Sequence, residues 1–221
     1  MNRVSVIVVA AGEGKRFGFA KQFALIKEKS VLDWCLEKFE VHEQVTDIIL
    51  VLKEKTKEER FLKRYRKIVA VARGGRKRQD SVLSGFNQIN PKKTEIVLVH
   101  DGVRPLVEED LISRVIEAAR TKGAVVPAIP VKDTIKLVEG QEVIRTLDRD
   151  KLFRIQTPQG FLYSILKKAL NKAKEENFYG NDEASLVERV GETVSIIQGD
   201  SKNIKITTPE DLRILEAFYE S

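Results

Sequence analysis

The sequence has one cysteine, Cys35, one methionine, one tryptophan and only two histidines, His42 and His100, in 221 residues. A single cysteine excludes an internal disulfide framework and agrees with a reducing compartment. The histidines are isolated, without cysteine or carboxylate partners at zinc-binding spacing, and each reads as a surface or core-edge residue. No Ser-His-Asp arrangement can be argued either. Long apolar runs are also missing. Val4 to Ala11 is far too short to span a bilayer, is followed by Gly-Glu-Gly-Lys-Arg, and lacks a basic leader and a small-residue cleavage pattern. These absences predict a cytoplasmic protein with no membrane partner.

Charge is what the chain has in quantity. Lys and Arg number 39 against 33 Asp and Glu, a net charge of +6, and 42% of residues are hydrophobic. That balance belongs to a folded chain, long enough for one domain over 1–221 with a sizeable core. The excess of cations admits nucleic acid, an acidic small substrate or a plain charged surface. No Arg-Lys run interleaved with aromatics is present, so nucleic acid ranks last. A phosphorylated substrate needs only a few local cations. High charge with so little Met and Cys also hints at a thermophilic source.

Along the chain, strands alternate with helices. Val4–Val9, Asp47–Leu52 and Glu95–Val99 are continuous apolar runs of the kind covered on both faces. Ile68–Val71, Ala124–Ala128 and Thr193–Ile197 are shorter candidates. Helical spacing follows Ser30, which caps with Asp33, and recurs over Lys55–Lys67, Asp80–Ile89, Glu108–Thr121, Leu162–Glu176, Asp182–Val190 and Pro209–Tyr219. The alternation predicts an α/β fold, a mostly parallel sheet with flanking helices. One segment breaks it. Thr134–Val138 and Val143–Thr146 alternate apolar and polar residues about Glu139-Gly140-Gln141. This reads as a projecting β-hairpin arm, within about 132–159, that finds cover elsewhere, such as on a second subunit.

Four constellations could carry chemistry. Ala10-Ala11-Gly12-Glu13-Gly14-Lys15-Arg16-Phe17-Gly18 follows the first strand. Its glycines let backbone N–H groups approach a phosphate. Phe17 breaks the dinucleotide fingerprint, and no Ser or Thr completes a Walker pattern after Lys15. Lys15, Arg16 and Lys21 could stabilise charge developing on a triphosphate; the alternative is an ordinary tight loop with solvated cations. His100-Asp101-Gly102-Val103-Arg104-Pro105 puts a carboxylate at the end of a central strand, where open α/β sheets bind ligands, or simply starts a turn with Asp101 paired to Arg104. Arg73-Gly74-Gly75-Arg76-Lys77-Arg78-Gln79-Asp80-Ser81 suits backbone recognition of a base or anion, or a solvated basic loop. In Asn203–Asp211, Lys205 sits in a short apolar stretch and wants an anion, unless it snorkels to water. Cys35 reads as a core residue, and Trp34 as packing.

Taken in order, these segments closely resemble the 2-C-methyl-D-erythritol 4-phosphate cytidylyltransferases over nearly the whole chain. The resemblance is carried by Ala10 to Arg16, Lys21-Gln22, Gly74-Gly75 with Arg78 to Val82, His100-Asp101, and Arg104-Pro105. It continues through Asp133-Thr134, Leu147-Asp148-Arg149, Gln156-Thr157-Pro158-Gln159, Asp182 to Ser185 and Asn203 to Thr207. It implies a Rossmann-like nucleotidyltransferase domain acting as a homodimer, the arm embracing the partner. A phosphate oxygen of the polyol attacks the α-phosphorus of CTP, and pyrophosphate leaves with Mg²⁺ held mainly by the CTP phosphates. The resemblance makes Arg16 and Lys21 stabilisers of the transition state, and Arg149 and Lys205 the residues that orient the polyol phosphate. It also implies contacts from Asp101, Arg104, Thr134 and Thr157 to that substrate, and from Ala10, Ala11, Gly12, Gly14, Lys15, Gly75, Ser81 and Asp101 to the nucleotide. Thr134 and Arg149 would reach in from the other subunit's arm. The chain departs from the pattern at Phe17, at Ala20 before Lys21, and at Arg76-Lys77 after the glycine pair. Ribitol 5-phosphate cytidylyltransferases share many of these motifs, but Asp182 to Ser185 and Leu147 to Arg149 favour the first family. A non-catalytic nucleotide-sensing or nucleic-acid-binding domain built on the same loop is the other alternative.

Overall fold

A computed structural model describes residues 3–14, 17–18, 20–54 and 58–220. The expected site residues Lys15 and Arg16, and residues 55–57 of the expected second helix, lie outside that set. The first apolar run forms β1 (Arg3–Ala10), and the next two form β4 (Val45–Leu52) and β6 (Thr94–Asp101). Two-residue strands β2 (Leu25–Ile26) and β3 (Lys29–Ser30) pair with each other between β1 and α1 (Val31–Val41). The chain continues through α2 (Glu58–Arg64), β5 (Ile68–Arg73), α3 (Arg78–Phe86), α4 (Glu109–Lys122) and β7 (Ala124–Pro130). After the hairpin β8 (Lys136–Glu139) and β9 (Glu142–Thr146) come β10 (Phe153–Ile155), β11 (Gln159–Leu162), α5 (Tyr163–Glu175), α6 (Glu183–Arg189), β12 (Ser195–Gln198) and α7 (Pro209–Glu220).

Among the described residues the main sheet has eight strands, in the path β10-β7-β11-β6-β1-β4-β5 with β12 on the free edge of β7. β6, β1, β4 and β5 are mutually parallel, as the apolar runs predict. β10 and β11 run antiparallel, so the sheet is mixed. Alternation along the strands builds two cores. Val4, Val6, Val8, Ile48, Leu50, Ile96 and Leu98 face α1, α2 and α4. Ile7, Ile49, Val51, Val97 and Val99 face α3, α5 and α6. Burial on both faces explains why these strands read as continuous rather than alternating runs.

Local signals fixed several boundaries. Ser30 and Asp33 form the expected capping box at α1, with the Asp33 amide donating to Ser30 Oγ at 3.1 Å. Asp33 is fully buried and also holds Arg60 and Arg64 of α2 and the Tyr65 hydroxyl, the last at 2.9 Å. Cys35 is buried and free, its thiol pushed up by burial. Trp34 stacks on Tyr219 of α7 with ring centroids 4.0 Å apart. The projecting hairpin is narrower than expected: residues 136–146 stand off the sheet and are exposed throughout, while 153–155 return to pair with β7.

Candidate active site

The register of the parallel strands decides where the site forms. Ala10 lies beside Leu52, and Val9 beside Asp101, so the loops leaving β1, β4 and β6 open on one rim, at the carboxyl ends of the strands. A cavity of about 470 Å³ sits there, lined by the glycine-rich loop, by residues 75–78 and Ser81 at the start of α3, and by Lys21, Gln22, Lys53, Asp101, Val103 and Lys205.

The glycine-rich loop is pinned from below. The Gln22 amide donates to the carbonyls of Ala10 and Gly12 at 2.9 and 3.0 Å. Gly14 takes φ of +66°, a conformation that favours glycine, and the Phe17 amide closes the turn onto its carbonyl at 2.7 Å. Phe17 then buries its ring in a third apolar cluster with Val103, Ile206 and Leu215. The facing wall comes from the Gly74-Gly75 turn. The Gly74 amide donates to Leu52 at 2.7 Å, and a side chain at Gly74 would collide with Ala11, so only glycine lets the two loops meet. Gly75 and Ser81, both expected at the nucleotide, are joined by a bond from the Gly75 amide to the Ser81 hydroxyl at 3.1 Å.

Asp101 is the electrostatic centre. Arg78 Nε lies 3.0 Å from Oδ1, Lys205 Nζ 2.7 Å from Oδ2, and Arg104 Nε 4.0 Å from Oδ2. Burial alone would raise this carboxyl, but Arg78 and Lys205, with Arg104 behind, hold it well below the usual carboxylate range. Arg78 is held in turn by the buried Glu183, its Nη1 2.8 Å from both carboxylate oxygens. Burial works against the Arg78 cation, and Glu183 and Asp101 outweigh it, raising its pKa. Glu183 itself is raised by burial despite Arg78. Arg104 donates to the Asn203 carbonyl at 2.7 Å, while among the described residues its buried Nε has no hydrogen-bond partner. Burial lowers the Arg104 pKa.

Behind Asp101, His100 is fully buried, not at the core edge as its sequence position implied. Its Nε2 faces the Arg104 carbonyl at 3.2 Å, and its Nδ1 faces the Thr157 hydroxyl at 3.0 Å. Thr157 also receives the Asp101 amide at 3.2 Å. Asn203 locks this region by donating to the Thr157 carbonyl at 2.8 Å.

Of the expected site residues, Ala10, Ala11, Gly12, Gly14, Lys21, Gly75, Ser81, Asp101 and Lys205 line the cavity together. Arg104 and Thr157 pack behind Asp101. Thr134 and Arg149 are exposed on or beside the arm and do not line it; Arg149 donates to the Lys132 carbonyl at 3.2 Å. Lys205, expected to want an anion, keeps 39% of its side chain exposed, and its anion is Asp101. Sequence reasoning missed the Arg78–Glu183 pair, although Arg78 lies in the basic loop and Glu183 in the Asp182 to Ser185 motif. Among the described residues, six cations (Lys21, Lys53, Arg76, Lys77, Arg78 and Lys205) line the cavity with two carboxylates, Glu13 and Asp101. Such a lining attracts a polyanion.

A family model described as 2-C-methyl-D-erythritol 4-phosphate cytidylyltransferase matches residues 4–221. The protein of that name from Bacillus cytotoxicus is 44% identical over 220 residues, covering 97% of this chain and 96% of the relative. The one from Geobacillus thermodenitrificans is 44% identical over 221 residues, with 97% and 96% covered. Among solved structures, 4-diphosphocytidyl-2C-methyl-D-erythritol synthase from Anaerococcus prevotii superposes with a TM-score of 0.88 at 31% identity, over 100% of this chain and 99% of that one. The 2-C-methyl-D-erythritol 4-phosphate cytidylyltransferase of Thermus thermophilus gives 0.83 at 30%, over 97% and 98%.

Proposed function

The chain belongs to the 2-C-methyl-D-erythritol 4-phosphate cytidylyltransferase family and transfers CMP from CTP to that polyol phosphate in the non-mevalonate isoprenoid pathway; on that premise we propose that the cavity at the ends of β1, β4 and β6 binds both substrates. The observation that carries this is Asp101, flanked by Arg78 and Lys205 in a cavity whose other wall is a glycine-rich loop. Backbone amides around Ala10, Ala11, Gly12 and Gly14 cradle the nucleotide, and Gly75 and Ser81 read its base. Lys15, Arg16 and Lys21 oppose the phosphate charge. Lys205, Arg104 and Asp101 orient the polyol phosphate, with Thr157 behind; Arg104 Nε, unbonded among the described residues, has a donor to offer.

In the transfer, a phosphate oxygen of the polyol forms a bond to the α-phosphorus of CTP, and the bond from that phosphorus to the bridging oxygen breaks, releasing pyrophosphate. The nucleophile is already ionised, since a phosphate monoester loses its second proton near pH 6. No general base is needed, and neither Cys35 nor His100 lines the cavity. Positioning and cationic stabilisation of the developing charge supply the rate.

Among the described residues, no three His, Cys, Asp or Glu side chains converge as a metal cage. Asp101 is engaged by Arg78 and Lys205, and Glu13 by Lys53. This donor set would suit a Mg²⁺ ion held mainly by the triphosphate, with Asp101 as the cavity carboxylate that could assist. The ion would neutralise the leaving pyrophosphate. The same reading takes the enzyme to be a cytoplasmic homodimer, in which the arm of a second copy supplies Thr134 and Arg149. The exposed apolar hairpin and the free, buried Cys35 support it.

A pyrophosphate-release assay across four nucleoside triphosphates, with methylerythritol phosphate and ribitol phosphate as acceptors, tests this. Turnover is expected with CTP and methylerythritol phosphate alone, and Lys21→Ala is expected to cut it at least a hundredfold, in the range of a lost transition-state contact. Full turnover by a folded Lys21→Ala variant would remove that residue from the mechanism.

A further inference from the structure

Lys53 stands at this site without a role in any of the roles assigned above. β4 ends at Leu52, in register with Ala10, so Lys53 leaves the sheet beside the glycine-rich loop. Its Nζ lies 2.7 Å from Glu13 Oε1, and the two side chains are 55% and 49% exposed. Both residues line the main cavity and also an adjoining one of about 260 Å³. Glu13 therefore puts a negative charge on the very loop that faces a triphosphate. Arg78 and Lys205 are committed to Asp101, and Lys77 lies 3.5 Å over the Tyr179 ring, whereas Lys53 is tied to an exposed partner.

We propose that Lys53 is a further triphosphate-binding residue, held on Glu13 until CTP arrives and then passed to its phosphate oxygens. An exposed ion pair is weak and exchanges readily. A lysine on a flexible stem carries three donors, and phosphate is the stronger acceptor because its charge is greater. Glu13 carries the same sign of charge as the triphosphate, so it gives CTP no attraction of its own.

The inference rests on the reading of this cavity as the CTP site. Calorimetric titration of the full-length protein with CTP plus Mg²⁺, and separately with CMP, tests it. Lys53→Ala is expected to weaken CTP about tenfold, the scale of one charge-assisted hydrogen bond, and to leave CMP unchanged because CMP lacks the outer phosphates. Lys53→Arg is expected to keep most of the affinity and to control for folding. Glu13→Gln is expected to bind CTP as tightly as the unaltered protein or more so, and adding Lys53→Ala to it is expected to lose the same factor again. Unchanged CTP affinity in Lys53→Ala overturns the inference. So does a Glu13→Gln/Lys53→Ala double variant that binds CTP as tightly as Glu13→Gln alone, because Lys53 would then only neutralise Glu13. If Lys21→Ala weakens CTP and Lys53→Ala does not, this inference alone fails; if neither does, the reading of the cavity fails.

Discussion

At the end of β6, two adjacent titratable groups are held in opposite states. Asp101 stays ionised against its burial because three cations surround it. His100 stays neutral because burial pushes its pKa down to about 3, more than Asp101 pulls it up. The hydrogen bonds agree with one tautomer: Nε2–H donates to the Arg104 carbonyl, and Nδ1 accepts from the Thr157 hydroxyl. Linkage fixes the consequence. An unfolded histidine titrates near pH 6.5, so between about 6.5 and 3 the unfolded chain binds a proton that the native site refuses. The stability contributed by neutral His100 is complete above that window and falls with pH inside it, by roughly 1.4 kcal/mol per pH unit for one proton. Asp101 acts lower: its contribution is present above about 3.9, the ordinary carboxylate value, and is lost as pH falls through its depressed native value. Urea unfolding at pH 6.5, 5.5 and 4.5 should therefore show a slope in His100→Gln smaller by about one proton than in the unaltered protein. His42, also lowered by burial, is common to both and cancels. Parallel losses would mean that His100 accepts a proton in the folded state. Asp101 was legible from its place at a strand end. The burial of His100 was not, since a polar residue in that place shows no partner in the sequence. Nor was Glu183, 105 residues from Arg78 and joined to it only by packing.

Helix α3 has to deliver Arg78 and Ser81 to the cavity with only nine residues. A cation in the first turn opposes the helix dipole, so Arg78 belongs there only because Asp101 and Glu183 hold it. The axial position of so short a helix is set by its contact with the sheet, where Gly85 sits with Val82 and Phe86. A methyl group at Gly85 would lie 2.7 Å from Ile7 Cγ2 and 2.9 Å from Val51 Cγ2. Two effects compete in Gly85→Ala. Helix propensity favours alanine by about 1 kcal/mol, and overpacking against branched side chains on two paired strands costs about 1–3 kcal/mol. Because β1 and β4 are each bonded to neighbours on both sides and cannot yield, overpacking should win. Denaturation is expected to show a net loss of roughly 1–2 kcal/mol, with a raised KM for CTP as Arg78 and Ser81 shift. A gain in stability would show that α3 slides freely on the sheet. Elements with strong local signals were legible: the capped α1, the amphipathic α4 and α5, and the buried parallel strands. β10 and β11 were not, since three or four residues carry no period and their pairing with β7 and β6 is a tertiary event. The start of α3 at Arg78 instead of Asp80 reflects the same limit, because its first turn is held by partners distant in sequence.

At the scale of the molecule, the arm is the part that the single chain leaves unexplained. Leu137, Val138, Val143 and Ile144 are 44–59% exposed, and no residue of β8 or β9 is buried. A lone two-stranded hairpin is marginal in water, so its apolar side chains call for a cover, and the proposed dimer supplies one. The same dimer would bring Thr134 and Arg149 to a cavity that they do not line within their own chain. Stability and substrate binding would then both depend on one contact, while the nucleotide end of the site, built from β1, β4 and α3, would not. Val138 and Val143 are directly opposite across the hairpin and so share a face. Replacing both with Asp sets two like charges together on the surface to be covered. In sedimentation velocity the Val138→Asp/Val143→Asp protein is expected to run as a monomer with an unchanged circular dichroism spectrum of the main fold. Its affinity for CTP should stay within a few-fold of the unaltered protein, and its kcat/KM for the polyol phosphate should fall at least tenfold, the cost of about one lost charged contact. A dimer that survives the double substitution would place the interface elsewhere. A monomer with full polyol turnover would show instead that Thr134 and Arg149 act within their own chain or not at all.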